Sequence, residues 1–377
     1  MSYYHLSAGA KAVLKTLEKH FQNGDAYISK ELLWKLCNRS LPDLTQRAFA
    51  GYLQELFHEN FLHLEGRRLY LKHIWQCEEA AAVTLADILK RNTGQLHSAT
   101  PATLSVGDVT LTSQQRDAIN LACQHRLSCI LGGAGTGKST LIHCLTNIFL
   151  SHGKGVVLCA PTGKGARNIT TRTTYPARTV HSTLGKTPED DDFLAKIQWQ
   201  EVDLVVIDEA SMLSLELLAG ILTIVNPRCT VVLVGDPNQL LSVGSGNVMA
   251  DLLALGIPRY TLTTHHRQQD KSSALAYNVE QFNQCHSLAD LRFDDSFVFQ
   301  TDLQTPEKAL CVEATKRYLA GENVQVMAPF NASVRQLNSS LQNSVNANPP
   351  IKDCLFRILD RVMVIDKQNT LYFRDSL

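Results

Sequence analysis

A chain of 377 residues has room for two or three domains and a sizeable buried core. Lys and Arg total 36 and Asp and Glu also total 36, so no global basic field points to a polyanion, and any nucleic-acid reading has to come from local motifs. A hydrophobic fraction of 44% with 19% charged residues excludes whole-chain disorder. No apolar run approaches the roughly 18 residues that cross a bilayer, so no membrane association is expected. The start MSYYHLSAGAK lacks the basic, apolar and small-residue parts of a signal peptide, which makes the cytoplasm the expected location. Ten cysteines without a CxxC pair read as reduced core thiols.

Residues 1–75 carry ten Lys and Arg against seven Asp and Glu. Val13, Leu14, Leu17 and Phe21 recur at helical spacing. A second helix is expected from about Ser29, a capping residue, to Cys37, with Leu32, Leu33 and Leu36 as its face. A third is expected from Leu44 to His58, burying Phe49, Leu53, Leu56 and Phe57. FLHL-EGRR-LYLK alternates on both sides of a turn at Gly66, as a hairpin does. Three helices and a hairpin predict a winged helix, and with the helix Ile74 to Leu89 they make a first domain over 1–91, followed by a Thr- and Ser-containing linker over 92–106.

From Leu111 onward, the aliphatic segments LSCIL, GVVLCA, VDLVVID and CTVVLVGD alternate with helical stretches. Continuous apolar strands separated by helices predict an α/β fold with a parallel sheet covered on both faces. A first motor domain is placed at 107–262, and a weaker repeat of the same style at 263–377, with NVQVMAP as its clearest strand and a helix opened by Thr305-Pro306 and closed by Gly321.

Gly132, Gly133, Ala134, Gly135, Thr136, Gly137, Lys138 and Ser139 fit GxxxxGK(S/T), between a strand and a helix that continues through Thr140. Such a loop curls its backbone amides around ATP phosphates, Lys138 neutralises the outer phosphates, and the Ser139 hydroxyl ligates Mg2+. The apolar run Leu204 to Ile207 ends in Asp208-Glu209 at the carboxyl end of a strand, where open α/β sheets bind ligands. Asp208 is expected to hold the metal shell and Glu209 to orient and deprotonate water, which makes the chain an ATP hydrolase rather than a small-molecule kinase.

The segments around these two motifs resemble RecD-type DNA helicases of superfamily 1, over about residues 68 to 377. Leu111 to Ala118 resembles the family's Q motif, implying that Gln115 reads the adenine edge. Ala160 to Lys164 resembles motif Ia, implying contacts of Pro161, Thr162, Gly163, Lys164 and Arg167 with a single-stranded backbone, and the segment Thr179 to Gly185 adds His181. Val234 to Leu240 resembles motif III, with Gln239 as a γ-phosphate sensor, and Leu262 to Gln268 resembles motif IV, with Arg267 reaching the γ-phosphate from a second motor domain. Lys186 to Gln200 lies where relatives carry a strand-separating hairpin, and Asp360 to Met363 also fits the family.

The resemblance implies a RecA-like P-loop motor preceded by a winged helix and followed by a partial second RecA-like domain, since motifs V and VI do not follow. It also implies ATP-dependent 5′-3′ translocation on single-stranded DNA and at single/double-strand junctions, in DNA repair or recombination, with a partner or a further segment completing the motor. The alternative is an ATP-switched DNA-binding module, or a helicase fragment without sustained unwinding.

Overall fold

Each of the first three helices starts at a hydroxyl and buries one stripe. In the computed structural model, which describes residues 5–22, 24–90, 105–106, 109–133, 135–185, 197–239, 242, 244–264, 273–282, 287–300, 304–348 and 357–358, α1 (Ala8–Phe21) is capped by Ser7, α2 (Lys30–Ser40) by Ser29 and α3 (Gln46–His58) by Thr45. Each hydroxyl accepts from a first-turn amide, an interaction that stabilises a helix end by about 1 kcal/mol. Val13, Leu14, Leu17 and Phe21 are buried in α1, and Phe49, Leu53 and Leu56 in α3, with Phe57 half-buried. In α2 the buried pair is Leu33 and Cys37, one turn apart. Leu32, expected on that face, is 43% exposed because adjacent helical positions are rotated by about 100°.

The hairpin forms as expected: β1 (Leu62–Glu65) pairs antiparallel with β2 (Arg68–Leu71), and Ile28 bridges Leu69 on the other side. It leads directly into α4 (Lys72–Lys90). Beyond this lie the short pair β3 (Ser105–Val106) and β4 (Val109–Thr110), and most of the expected linker falls outside the described residues.

Six strands then form one sheet: β5 (Leu127–Gly132), β6 (Gly155–Ala160), β7 (Ala177–Thr179), β8 (Val202–Ile207), β9 (Thr230–Gly235) and β10 (Arg259–Leu262), in the order β10-β5-β9-β8-β6-β7 with every pair parallel. Each crossover carries a helix or turn: α5 (Ser113–Gln124) precedes β5, and α6 (Lys138–Ser151), α7 (Gly163–Thr173), α8 (Val180–Thr183), α9 (Leu215–Ile224) and α10 (Val248–Ala254) follow in turn. Alternate strand residues point to opposite faces. Ile130, Leu204, Val206, Val232 and Val234 meet α5, α6 and α7 on one side, whereas Cys129, Val205, Ile207, Val231 and Leu233 meet α9 and α10 on the other.

Helix α4 belongs to two of the three cores of this unit. Its Ile74 packs with α1–α3, and its Ala81, Leu85 and Ile88 join the cluster under α9. Residues Met1–Lys271 accordingly form a single compact unit. Eight described cysteines are free, and burial pushes the Cys129, Cys159 and Cys229 thiols up to about 12, so these are unreactive packing residues.

The second unit, Ser272–Leu377, contains α11 (Ala274–Gln281), a short 3-10 turn at Leu288–Asp290, α12 (Pro306–Leu319) and α13 (Asn331–Val345). Gly321 ends α12 at φ +84°, as expected. The strand expected at NVQVMAP is not formed: residues 323–329 pair with no strand among the described residues, and Met327 is 80% exposed. An apolar run is a strand only when a neighbour takes its backbone groups.

Truncating Leu85 to alanine, far from any predicted site residue, should cost about 2–4 kcal/mol because it opens a cavity between α4 and α9. The check is the midpoint of chemical denaturation, and a midpoint equal to that of the unmodified chain would show that α4 does not share the sheet's core.

Candidate nucleotide and nucleic-acid site

Parallel pairing brings the carboxyl ends of β5, β6, β8 and β9 to one edge of the sheet, and the chemistry-bearing loops all leave from that edge. After Gly132 the chain turns and enters α6 through Gly137, whose φ of +87° is left-handed and suits only a residue without a Cβ. No side chain caps α6. Its first amides face the loop concavity and suit a phosphate. The Lys138 Nζ donates to the carbonyl oxygens of Gly132 (2.6 Å) and Gly133 (2.8 Å), and the buried Thr136 hydroxyl donates to Gly133 O (3.0 Å). The ammonium is therefore held on loop carbonyls at the place where phosphate oxygens would take it. Ala134 lies outside the described residues.

Asp208 continues the line of β8, its amide donating to Cys159 O at 3.0 Å. Burial raises its pKa, and the nearby charge of Glu209 adds to this, while the hydrogen bond from the Glu209 amide (2.9 Å) and the charges of Lys138 and Arg172 act in the opposite direction. Ser139 Oγ accepts a 2.9 Å hydrogen bond from Arg172 Nη1, near the C-terminal end of α7. A cation thus already stands on the Ser139 hydroxyl within the field of Asp208. Mg2+ fits this donor set: a hydroxyl and one carboxylate, both hard oxygen donors, leave the remaining positions to phosphates and water, the usual arrangement for this ion.

Glu209 adopts a left-handed backbone conformation (φ +54°), uncommon for a residue with a side chain. Its carboxylate reaches α7, where Oε2 accepts from the Thr162 hydroxyl at 2.9 Å. Gly165, in the first turn of that helix, has no Cβ to obstruct it. Thr162 also caps α7, its Oγ1 accepting from Gly165 N at 2.9 Å. Along α7, Lys164 and Arg167 are exposed on the surface that Thr162 heads, and Gly163 is exposed beside them. Pro161 is half-buried, and His181 is exposed on α8.

Gln115 is buried at 4% exposure. Its Oε1 accepts from Thr112 N (3.0 Å) in a capping box and its Nε2 donates to Gly137 O (3.5 Å), so it ties α5 to the phosphate loop. The neighbouring Gln114, which the sequence did not single out, bonds Thr263 and Thr264 beyond β10. Thr140 is half-buried in the first turn of α6. Gln239 is exposed in the turn after β9, its amide donating to Asp236 O at 3.1 Å. Arg267 lies outside the described residues, as do 186–196 of the segment aligned with the strand-separating hairpin and the motif at Asp360 to Met363. Trp199, at the end of that hairpin segment, packs against the sheet.

Residues 110–292 match the AAA domain family. Over 209 residues the chain is 34% identical to the ATP-dependent RecD2 DNA helicase of Deinococcus radiodurans, covering 54% of this chain and 28% of that protein. Over 244 residues it is 30% identical to the RecBCD enzyme subunit RecD of Mycolicibacterium smegmatis, covering 57% of this chain and 43% of that one. Over the matched residues the chain is similar to RecD proteins. The match spans less than half the length of either relative. A Pif1 helicase from Candida albicans aligns over 60% of each chain at 20% identity with a TM-score of 0.37, too distant to carry an argument.

Arg172 stands on the Ser139 hydroxyl although no sequence motif marks it. Arg172→Ala should lower the free Mg2+ needed for half-maximal binding of a fluorescent ATP analogue by roughly threefold, because an exposed charge no longer competes for Ser139. An unchanged Mg2+ midpoint would show that the guanidinium does not compete.

Proposed function

We propose that this chain is the ATP-hydrolysing part of a RecD-type DNA motor that tracks single-stranded DNA in the 5′-3′ direction and acts at single/double-strand junctions. The observation that carries the proposal is the convergence, at one edge of a parallel sheet, of an uncapped phosphate loop, an Asp-Glu pair and the first turn of a helix with exposed Lys164 and Arg167.

On this reading each residue has a role. Lys138 exchanges the Gly132 and Gly133 carbonyls for the outer phosphates of ATP. Ser139 and Asp208 hold Mg2+, which offsets phosphate charge when bound. Glu209 accepts the proton of the attacking water and orients it, and Gln239, on the turn that follows β9, senses the γ-phosphate. Arg267 supplies a second cation, and Gln115 reads the adenine edge when its capping-box bond to Thr112 opens. Thr162, Lys164 and Arg167 hold the nucleic-acid backbone through hydroxyl and charge contacts that read no sequence, with Pro161, Gly163 and His181 lining the same path.

The three N-terminal helices and hairpin are read as a winged helix that docks on duplex DNA. The bridge from Ile28 to Leu69, a single antiparallel pairing on the open side of the hairpin, supports that reading. A role in DNA repair or recombination rests on the RecD relatives, and the RecBCD subunit among them favours a protein partner. A second reading, an ATP-switched DNA-binding module with little turnover, is favoured by a different observation: Lys138, Ser139 and Glu209 are each held on a protein group.

The two readings separate in steady-state ATP hydrolysis with and without an oligo-dT strand. A motor should be stimulated at least tenfold, Lys138→Ala should abolish the response, and Glu209→Gln should retain nucleotide binding while losing about a hundredfold or more in turnover. ATP-dependent affinity for DNA without stimulated turnover would select the switch.

A further inference from the structure

The seam between the N-terminal helices and the motor sheet holds a groove of about 750 Å3, a size typical of small-molecule sites. Helices α4, α9 and α10 and the turn at 24–27 line it, and beside it a backbone bond joins the two sides, Gly246 N donating to Gly24 O at 3.0 Å. Its surface is mostly methyl and methylene, with Ala82, Leu85, Leu218 and Leu252 in the walls. Tyr27 and Leu255 are left 46% and 55% exposed.

The charged side chains of this groove all have one sign. Among the described residues that line it they are Asp25, Glu78 and Asp251, with no Lys, Arg or His. His20 answers Asp25 at 3.2 Å. Glu78 Oε2, in contrast, is buried and meets no hydrogen-bond donor among the described residues. Burial raises the Glu78 pKa, and the charges of Glu65 and Asp251 push it further, against the pull of Arg68. Arg68 itself is stacked over the Tyr27 ring, 4.7 Å from its centroid. Burial raises the pKa of Asp251 as well. A buried carboxylate oxygen without a donor is costly until something supplies one.

We propose that the groove is a binding site for an aliphatic polyamine, whose ammonium groups donate to Glu78 and Asp251 while its methylenes lie on the alanine and leucine walls. Charge complementarity selects this class. A neutral apolar molecule would leave Glu78 Oε2 without a donor, and an anion would meet three carboxylates. A hydrated divalent cation would set its water shell against apolar walls. Ammonium groups on a methylene chain satisfy both surfaces, as a lysine side chain does when its stem lies on apolar atoms. The groove has the volume of one small molecule, which favours a free polyamine over a lysine-bearing protein, whose interface needs roughly 800 Å2 on each side. Because Glu78 is on α4 and Asp251 on α10, the occupant ties the N-terminal helices to the motor.

The experiment is calorimetric titration of spermidine into the full chain at about 0.15 M salt, without nucleotide or DNA, paired with thermal denaturation. Spermidine should bind one per chain and raise the melting temperature, and Mg2+ at the same concentration should not displace it. Glu78→Gln and Asp251→Asn should each weaken binding about tenfold. Without spermidine, Glu78→Gln should melt no lower than the unmodified chain, because it removes a buried charge; a merely structural glutamate would give the opposite. Ala82→Leu fills the groove from an exposed helix position, keeps every charge and should weaken binding to a similar degree. Spermidine that fails to bind, that is displaced by Mg2+, or that binds the Glu78→Gln and Ala82→Leu variants as well as the unmodified chain would overturn the proposal. A groove that takes a helical peptide of leucine and lysine but not spermidine would belong to a protein partner, which overturns it too.

Discussion

Parallel pairing of strands buried on both faces is the constraint on which the rest of the molecule depends. Because β5, β6, β8 and β9 all run the same way, their carboxyl ends share one edge, and the polar residues that cannot enter an apolar sheet collect there. The order places β9 between β5 and β8, so the turn bearing Gln239 leaves the sheet between the phosphate loop and the Asp208-Glu209 pair. The covering helices have two duties. Helices α6 and α7 bury Leu141, Leu145 and Ile169 against the sheet while presenting their first turns to the site. Helix α4 extends the opposite core and anchors the N-terminal helices and hairpin to the same body.

The charged groups of the site follow from this crowding. Lys138, Ser139 and Glu209 would each be costly to leave without a partner beside a low-dielectric sheet, and each finds one on the protein: loop carbonyls, the Arg172 guanidinium and the Thr162 hydroxyl. A charge-assisted hydrogen bond contributes roughly 1.5–3 kcal/mol, enough to hold a side chain and small enough for a polyphosphate or a phosphodiester to displace it. Among the described residues no cation is in direct contact with Asp208, and its pKa rises through burial. Helix α7 runs along the site, with Thr162 at its head on Glu209 and Arg172 near its tail on Ser139.

Much of this was legible in the sequence. Four of the six sheet strands, β5, β6, β8 and β9, announce themselves through near-continuous aliphatic runs, whereas the edge strands β7 (Ala177–Thr179) and β10 (Arg259–Leu262) carry no such run; the first three helices show as apolar stripes at helical spacing, the second also through its Ser29 cap, and the phosphate loop through glycines whose backbone role is local. What was not legible depends on contacts distant in sequence. Thr162 and Glu209 are 47 residues apart, and the bond between them arises only because β6 and β8 are neighbours. Arg172 sits in a run of threonines and carries no motif; its reach to Ser139 requires α7 to pack beside α6. Gln115 matches a motif position, yet its capping box with Thr112 engages its carboxamide within the chain. Residues 323–329 have the composition of a strand, but strand formation needs a neighbour that a single segment cannot reveal.

The most direct test of the account is a crystal structure of this chain with Mg2+ and a non-hydrolysable ATP analogue, without nucleic acid. The account predicts that Lys138 leaves the Gly132 and Gly133 carbonyls for phosphate and Arg172 leaves Ser139 to the metal. Nucleotide bound away from the phosphate loop, with Lys138 still on the Gly132 and Gly133 carbonyls, would contradict it.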